Sequence, residues 1–252
     1  MFFNFHWPKW AATACRLALP AVLFLGASAP AYALKFVYLS GHGLDNTRLA
    51  ARGDSQVGGA INPDDAGWAT AMAAVNAGPA EFILVGENSS GYNLSATTKA
   101  NMNAWLSAGG HIVWLGAHGG EVSKLNANFG LSLTSGVMDA SAAYTATKHA
   151  NASGTQYANG PASLATLNLT IFLKNVPTAD IRYEGSGGVA VFEHKVGIGS
   201  LTYYGWDFCC GGTPAQIDAW YDVLHTGFLS CQGADSDADG LSDGAEVNTY
   251  GT

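Results

Sequence analysis

Charged residues are scarce in this chain. Only 12 % of its 252 residues are Asp, Glu, Lys or Arg, and 11 basic residues face 19 acidic ones. The resulting net charge of −8 repels phosphate backbones. No stretch of the sequence concentrates Lys and Arg as nucleic-acid-binding surfaces do. The composition therefore excludes nucleic acid as an expected partner.

Long apolar runs are also lacking. The apolar run at residues 17–27 is too short to cross a bilayer by itself. It follows Lys9 and Arg16 and precedes a small-x-small cleavage pattern at residues 31–33, which is typical of an export signal. We therefore expect residues 1–33 to be a signal peptide and Leu34 to start the mature chain, with an uncleaved membrane anchor as the alternative. The expected location is secreted, periplasmic or cell-surface, without a membrane span after signal removal.

Cysteine is rare as well. Cys15 lies in the signal region, which leaves Cys209, Cys210 and Cys231 in the mature chain. An odd number leaves at least one thiol free or paired elsewhere. A Cys210–Cys231 disulfide would have to span a predicted helix of ~16 residues, about 24 Å long, so the flanking loops would have to fold back. A zinc site at the Cys-Cys pair is not expected, because no His or Cys with suitable spacing lies nearby.

Acidic residues are concentrated near the end of the sequence, where their spacing is regular. Carboxylates occupy positions 1, 3, 5, 9 and 12 of a twelve-residue window, and a glycine occupies position 6. This is the spacing of a calcium loop, with a backbone carbonyl contributed at position 7. The predicted ligands of Ca²⁺ are Asp235, Asp237, Asp239, Leu241 (through its carbonyl), Asp243 and Glu246. The alternative is a solvated, disordered acidic tail.

The same residues resemble a thrombospondin type 3 repeat, whose units read D-x-D-x-D-G-x-x-D-x-x-[DE]. The resemblance covers residues 235–252 and defines a predicted calcium module at 232–252. Such repeats usually occur in tandem and share ions, whereas one unit is present here. We therefore expect either a fragment of a longer repeat protein or a loop that binds calcium alone, more weakly.

Between these two ends, short apolar runs alternate with helix-like segments, which predicts an α/β fold with a mainly parallel sheet. Strands are expected at 35–39, 82–85 and 112–115, and the last two are unbroken apolar tetrads typical of strands buried on both faces. Two further runs, 189–194 and 200–204, flank a glycine-containing turn and predict a late hairpin. Residues 135–166 show no period and are interpreted as an irregular surface excursion.

Three helices are expected from their capping signals. One begins at Asn62-Pro63-Asp64-Asp65, one at Ser95, and one at the capping box Thr213-Pro-Ala-Gln216. The aromatic residues of the last helix are interpreted as core.

This order of elements resembles the class I glutamine-amidotransferase-like superfamily, a flavodoxin-like fold. The resemblance rests on segments 34–43, 81–120 and 188–228, and it implies a three-layer sandwich at 34–231, which the predicted calcium loop would follow. In that family a G-x-C-x-G turn holds a nucleophilic Cys. The matching turn here is Gly116-Ala-His118-Gly-Gly120, so His118 replaces the nucleophile. The later His-x-Glu pair has only Asp207 near its place, which implies that amidotransfer is lost.

Ligands of open parallel sheets bind at the carboxyl ends of the strands. The polar residues expected there are Ser40, His42, Glu87, Asn88, His118, Glu121 and Asp207. We therefore weigh a secreted hydrolase that uses His42, Glu87, His118 and Asp207 against a purely structural role for these residues in tight turns. The remaining histidines, from His111 to His225, are interpreted as structural, and Glu184 and Glu193 as surface charges.

The favoured interpretation is an exported calcium-binding protein. Its α/β domain is expected to be non-catalytic and to act in binding or cell-surface display. Its ligand is expected to be an extracellular carbohydrate or protein.

Overall fold

The structure is a computed structural model that describes residues 34–40, 44–78, 80–86, 94–116, 120–139 and 141–231. Within these residues the chain forms five α-helices and eleven strands. The helices are α1 (Asn46–Ala50), α2 (Asp65–Asn76), α3 (Ala96–Ser107), α4 (Glu121–Phe129) and α5 (Pro214–Leu229). The strands are β1 (Lys35–Leu39), β2 (Ser55–Gln56), β3 (Phe82–Val85), β4 (His111–Leu115), β5 (Thr134–Asp139), β6 (Thr145–Lys148), β7 (Ser163–Ala165), β8 (Thr170–Lys174), β9 (Ile181–Gly185), β10 (Gly188–Val196) and β11 (Gly199–Tyr204).

One half of the sheet is parallel. Strands β2, β1, β3, β4 and β11 lie side by side in that order, and all their pairings are parallel. The chain runs from β1 outward to β2 and then crosses back to β3, so the strand order reverses between β1 and β3. This half confirms the α/β class and the three strands expected from apolar runs.

The other half is antiparallel. Beyond β11 the order continues through β10, β9, β6 and β7, while β8 pairs with both β10 and β5. Six described pairings are antiparallel and four are parallel. The expectation of a mainly parallel sheet was therefore wrong for the sheet as a whole, and the sheet is mixed. The predicted late hairpin is confirmed as β10 and β11, joined by Gly197 and Ile198.

The segment 135–166 was expected to be an irregular excursion, and this was wrong. It contains β5, β6 and β7 together with two short 3-10 turns. Asp139 organises its first bend, because its carboxylate accepts hydrogen bonds from the backbone N–H groups of Ser141, Ala143 and Tyr144. The Thr166 hydroxyl donates to the same carboxylate at 2.5 Å. Burial acts to raise the pKa of Asp139, but these hydrogen bonds outweigh it and lower that pKa.

Two hydrophobic clusters pack against the sheet. Phe36 and Tyr38 of β1 belong to one cluster, and Val37 and Leu39 belong to the other. Since successive side chains of a strand point to opposite faces, the clusters cover opposite faces of the parallel half. Helices α1 and α5 contribute to the first cluster, whereas α2, α3 and α4 contribute to the second.

The predicted helix starts at Ser95 and Thr213 are confirmed, and the start of α2 lies two residues later than predicted. Ser95 caps α3 by accepting from Thr98 N, and Thr213 and Gln216 form the expected capping box of α5. The cap of α2 is Asp64, not Asn62, and its side chain accepts from Gly67 N at 2.8 Å. The aromatic residues of α5 are core, as expected, since Trp220 and Tyr221 are buried. Within the described ranges, no helix combines the length and hydropathy needed to span a membrane.

Candidate functional site: the carboxyl edge of the parallel strands

The carboxyl ends of β1, β3, β4 and β11 meet at one edge of the sheet, because these strands are parallel neighbours. We call this the carboxyl edge and define it by Ser40, Gly86, Gly116 and residues 205–207, together with the first turn of α4. Ser40 follows β1, is buried, and donates its backbone N–H to Ile61 O at 3.0 Å. Gly86 follows β3 and donates to Leu39 O at 2.9 Å. The strand ends are thus fixed by hydrogen bonds to one another and to the segment before α2.

Two glycines let neighbouring groups come close at this edge. A Cβ on Gly86 would lie 2.2 Å from the Tyr38 hydroxyl oxygen, so only glycine leaves room for that phenol. A Cβ on Gly116 would lie 2.6 Å from Gly205 O, where β4 and β11 end side by side. Gly116 also donates its backbone N–H to Tyr204 O at 2.6 Å. Gly116, the first glycine of the turn that resembles a nucleophile turn, therefore has a packing role at the strand ends, as Gly86 does.

Two acids are buried at the carboxyl edge. Asp207, after β11, is 8 % exposed, and Glu121, the first residue of α4, is 2 % exposed. The Asp207 Oδ1 accepts a hydrogen bond from Cys209 N at 3.0 Å. A carboxylate at the first position of a helix is favoured by the helix dipole, which accounts for the place of Glu121. Among the described residues, Asp207 and Glu121 are the acids expected at the carboxyl ends of the strands that the structure places there.

Lys124 lies one turn after Glu121 and was not identified from the sequence. Burial lowers the pKa of the Lys124 ammonium, and the Glu121 charge opposes that shift. Burial raises the pKa of Tyr203 well above its ordinary value, and the Glu121 charge adds to the effect. Glu121 is therefore electrostatically coupled to a cation and to a phenol. The i,i+3 spacing of Glu121 and Lys124 was the one available sequence signal.

The segment that follows β11 is anchored by Phe208. Its backbone adopts φ of 59°, a left-handed conformation that is unusual for a residue with a large side chain. The buried ring lies 4.8 Å from the Trp206 ring and 5.2 Å from the Tyr221 ring, measured between centroids. Burying this aromatic surface offsets the backbone cost, which is on the order of 1–3 kcal/mol. Asp207 is therefore held between two fixed neighbours.

Helix α5 ties the carboxyl edge to the start of α1. The Tyr221 hydroxyl accepts from Asp45 N at 3.1 Å. Arg48 forms an ion pair with Asp218, and Arg52 forms one with Asp222 at 2.6 Å. The guanidinium carbon of Arg52 also lies 5.7 Å from the centre of the Tyr221 ring. These contacts fix α1 and the residue that precedes it against α5.

The other polar residues expected at the carboxyl ends of the strands lie outside the described residues. These are His42, Glu87, Asn88 and His118. The predicted calcium ligands Asp235, Asp237, Asp239, Leu241, Asp243 and Glu246, and the predicted signal peptide, also lie outside them. Within the residues that are described, no group of three or more His, Cys, Asp or Glu side chains is placed to hold a metal ion.

The cysteines pair differently from the alternative that was weighed. Cys209 and Cys210, which are adjacent in sequence, form a disulfide, and Cys231 is a buried free thiol. The expectation that an odd number of cysteines leaves at least one thiol free or paired elsewhere is confirmed by Cys231. The thiol of Cys231 donates to Gly227 O at 3.4 Å within α5 and the turn that follows it. The bond across the helix does not form because the pair forms locally.

The histidines expected to be structural each have a partner in the structure. The four pairs are His111 with Ser200 (2.8 Å), His149 with Glu184 (3.5 Å), His194 with Asp180 (2.7 Å) and His225 with Asp54 (3.0 Å). The structure corrects the expectation for Glu193. It was expected to be a surface charge, but it is 3 % exposed and lies 3.4 Å from Arg182 Nη2, because β9 and β10 pair across the turn between them.

No protein-family profile matches the chain, and no curated protein matches its sequence. Among solved structures, a cytoplasmic protein from Salmonella typhimurium LT2 is similar, with a TM-score of 0.50, 12 % identity, and coverage of 77 % of this chain and 98 % of that one. At that identity the likeness shows the fold alone.

Two further solved structures match with lower scores. A ThuA-like protein from Parabacteroides merdae has a TM-score of 0.43 and 11 % identity, covering 89 % of this chain and 91 % of that one. The exo-β-1,4-mannosidase Op5Man5 from Opitutaceae bacterium strain TAV5 has a TM-score of 0.37 and 15 % identity over 58 % of this chain. The match covers 25 % of the mannosidase.

Proposed function

We propose that this chain is an exported calcium-binding protein whose α/β domain binds an extracellular ligand without catalysing a reaction. The observation that carries the proposal is the ligand spacing at 235–246. Five carboxylates and one glycine fall on the positions that a calcium loop requires. The expected location is secreted, periplasmic or cell-surface, in accord with the signal pattern at residues 1–33.

We propose that the α/β domain is a three-layer sandwich of the amidotransferase-like kind. The two hydrophobic clusters on opposite faces of the parallel half support this. The absence of a Cys from the turn 116–120 supports a loss of amidotransfer, because His118 stands where that family carries its thiolate nucleophile. The hydrogen bond from Cys209 N to Asp207 supports a positioning role for that carboxylate. The ligand class is a carbohydrate or a protein.

Calorimetric titration of the purified chain with CaCl₂ tests the calcium proposal. We expect saturable heat with a Kd in the range of about 10⁻⁴–10⁻³ M, as for extracellular calcium modules. Asp239→Ala should abolish the heat, because it removes a ligand next to the turn glycine. Glu184→Ala removes an equal charge from a partly exposed position of β9 and should leave the heat unchanged. Equal heat from the wild type and Asp239→Ala would rule out the loop as the site.

A secreted hydrolase is the second candidate. It is favoured by the burial of Glu121 and Asp207 at the same edge and by the lowered pKa of Lys124. The test is turnover of a panel of chromogenic esters and glycosides. We expect no turnover above that of Asp207→Asn or His118→Ala. Turnover that both variants remove, while Glu184→Gln retains it, would replace the binding proposal with an enzymatic one.

A further inference from the structure

The Cys209–Cys210 disulfide contributes little to holding the fold together. The stabilisation that a disulfide provides grows with the length of chain that it closes, because it removes freedom from the unfolded state. This bond joins residues one position apart and closes no intervening chain. Its position therefore calls for an explanation other than stability.

Both cysteines of the pair are exposed, although the residues before them are buried. Trp206, Asp207 and Phe208 are inside, whereas Cys209 and Cys210 reach solvent. On the other side, Gly211 and Gly212 adopt φ of 87° and 84°, which returns the chain to Thr213 and the start of α5. A thiolate in solution can therefore reach the sulfur atoms without unfolding the domain, and exposed disulfides are the ones that undergo exchange.

The third described cysteine cannot take part. Cys231 is 5 % exposed, and burial raises the pKa of its thiol well above the ordinary value. A protonated, enclosed thiol is neither a nucleophile nor a partner for a mixed disulfide. Among the described residues, the exposed pair is therefore separated chemically from the only other thiol.

We propose that Cys209–Cys210 is a thiol–disulfide exchange site that accepts two electrons from low-molecular-weight thiols. A thiolate attacks one Sγ, the Sγ–Sγ bond breaks, and the other cysteine leaves as a thiolate that takes a proton from water. A second small-molecule thiolate then attacks the small-molecule sulfur of the mixed disulfide. This forms the oxidised small-molecule disulfide and releases the second cysteine as a thiolate, which takes a proton from water. Two thiols are oxidised, one protein disulfide is reduced, and the reverse reaction with a small disulfide restores the pair.

The pair lies beside the carboxyl edge, since Cys209 N donates to the Asp207 carboxylate at 3.0 Å. The exchange itself does not depend on the calcium proposal or on ligand binding. It is a property of residues 209 and 210 and of the solvent that reaches them.

Redox titration of the full chain with glutathione and glutathione disulfide tests the proposal. After each equilibration free thiols are alkylated, and peptide mapping by mass spectrometry scores every cysteine separately, so Cys15 does not interfere. We expect Cys209 and Cys210 to become labelled together in one two-electron transition of the folded protein, while Cys231 is labelled only in denaturant. Labelling of Cys209 and Cys210 only after denaturation, or a peptide that links either of them to Cys231, would overturn the proposal.

Three variants complete the test. Cys231→Ser should leave the transition in place. Cys209→Ser should abolish it, with Cys210 then accumulating as a stable mixed disulfide with glutathione. Cys209→Ser/Cys210→Ser should keep the unfolding midpoint close to that of the wild type, because the bond closes no chain. A large loss of stability in the double variant would instead show a structural bond and contradict the proposal.

Discussion

The parallel and antiparallel halves of the sheet are held together by different means. In the parallel half, β3 is entirely apolar and buried, and β4 adds four buried apolar residues after His111. In the antiparallel half, a buried ion pair joins Arg182 of β9 to Glu193 of β10, and Asp139 is buried at the end of β5. Apolar burial tolerates many arrangements, whereas a buried ion pair requires one register. The parallel half is therefore specified mainly by apolar burial, whereas the antiparallel half also depends on one pair of charged partners.

The largest effect is expected from the Arg182–Glu193 pair. Glu193→Gln leaves the buried Arg182 guanidinium without a counter-charge, so the free energy of unfolding should fall by about 3–5 kcal/mol. Urea unfolding followed by circular dichroism measures this loss. Glu184→Gln, on the neighbouring strand but 44 % exposed, is the matched control and should cost less than about 1 kcal/mol.

Replacing both members of the pair separates charge from packing. Arg182→Leu/Glu193→Leu removes both buried charges and should recover much of the stability that Glu193→Gln loses. A double variant that is no more stable than Glu193→Gln would show that the antiparallel half depends on more than this ion pair.

The second-largest effect is a loss of stability at low pH, which arises in the parallel half. Burial, together with the nearby Lys195 charge, lowers the pKa of His111 to about 4, whereas an unfolded histidine titrates near 6.5. The folded state therefore binds this proton less tightly than the unfolded state. The stability linked to His111 is fully present above about pH 6.5 and is lost as the pH falls toward 4, on the order of 3 kcal/mol.

Urea unfolding at a series of pH values between about 7 and 4 measures this dependence. His111→Gln should flatten the decrease over that window. His149→Gln, in the antiparallel half, should leave it in place. A decrease of the same size in His111→Gln would show that other groups dominate the acid sensitivity.

The smallest effect is expected at the cap of α5, the helix that contacts both halves. Trp220 of α5 donates to Ala165 O at 2.9 Å in the antiparallel half, and Tyr221 accepts from Asp45 in the parallel half. Thr213→Ala removes half of the capping box and should cost about 1 kcal/mol of unfolding free energy. Thermal unfolding measures it, and Thr213→Ser should restore stability. Equal stability of the Ala and Ser variants would show that the cap does not matter.

The two halves also differ in how far the sequence predicts them. Strands β1, β3 and β4, the late hairpin, and the caps Ser95 and Thr213 follow from local patterns of apolar runs and capping residues. Strands β5 to β7 were not predicted, because they are short and contain small and polar residues. The position of Glu193 depends on the pairing of β9 with β10, which includes register shifts that no local pattern encodes.

The candidate site was also predicted only in part, because some of its residues follow from local patterns and others depend on tertiary contacts. Asp207 and Glu121 follow strands that local patterns predict, so their place at the carboxyl edge could be inferred. Tyr38 and Lys124 were missed. The place of Tyr38 depends on Gly86 having no side chain, and the place of Lys124 depends on α4, which no local pattern predicts. Local patterns therefore locate the strand ends, while the side chains that meet there depend on tertiary contacts.

The most direct test of the proposed function is hydrogen–deuterium exchange of the purified chain with and without calcium. We predict that millimolar calcium slows amide exchange in peptides covering residues 235–246 and leaves residues 34–231 unchanged. Asp239→Ala should remove the slowing. Unchanged exchange at 235–246 in saturating calcium, or slowing confined to the carboxyl edge, would contradict the assignment of the calcium loop.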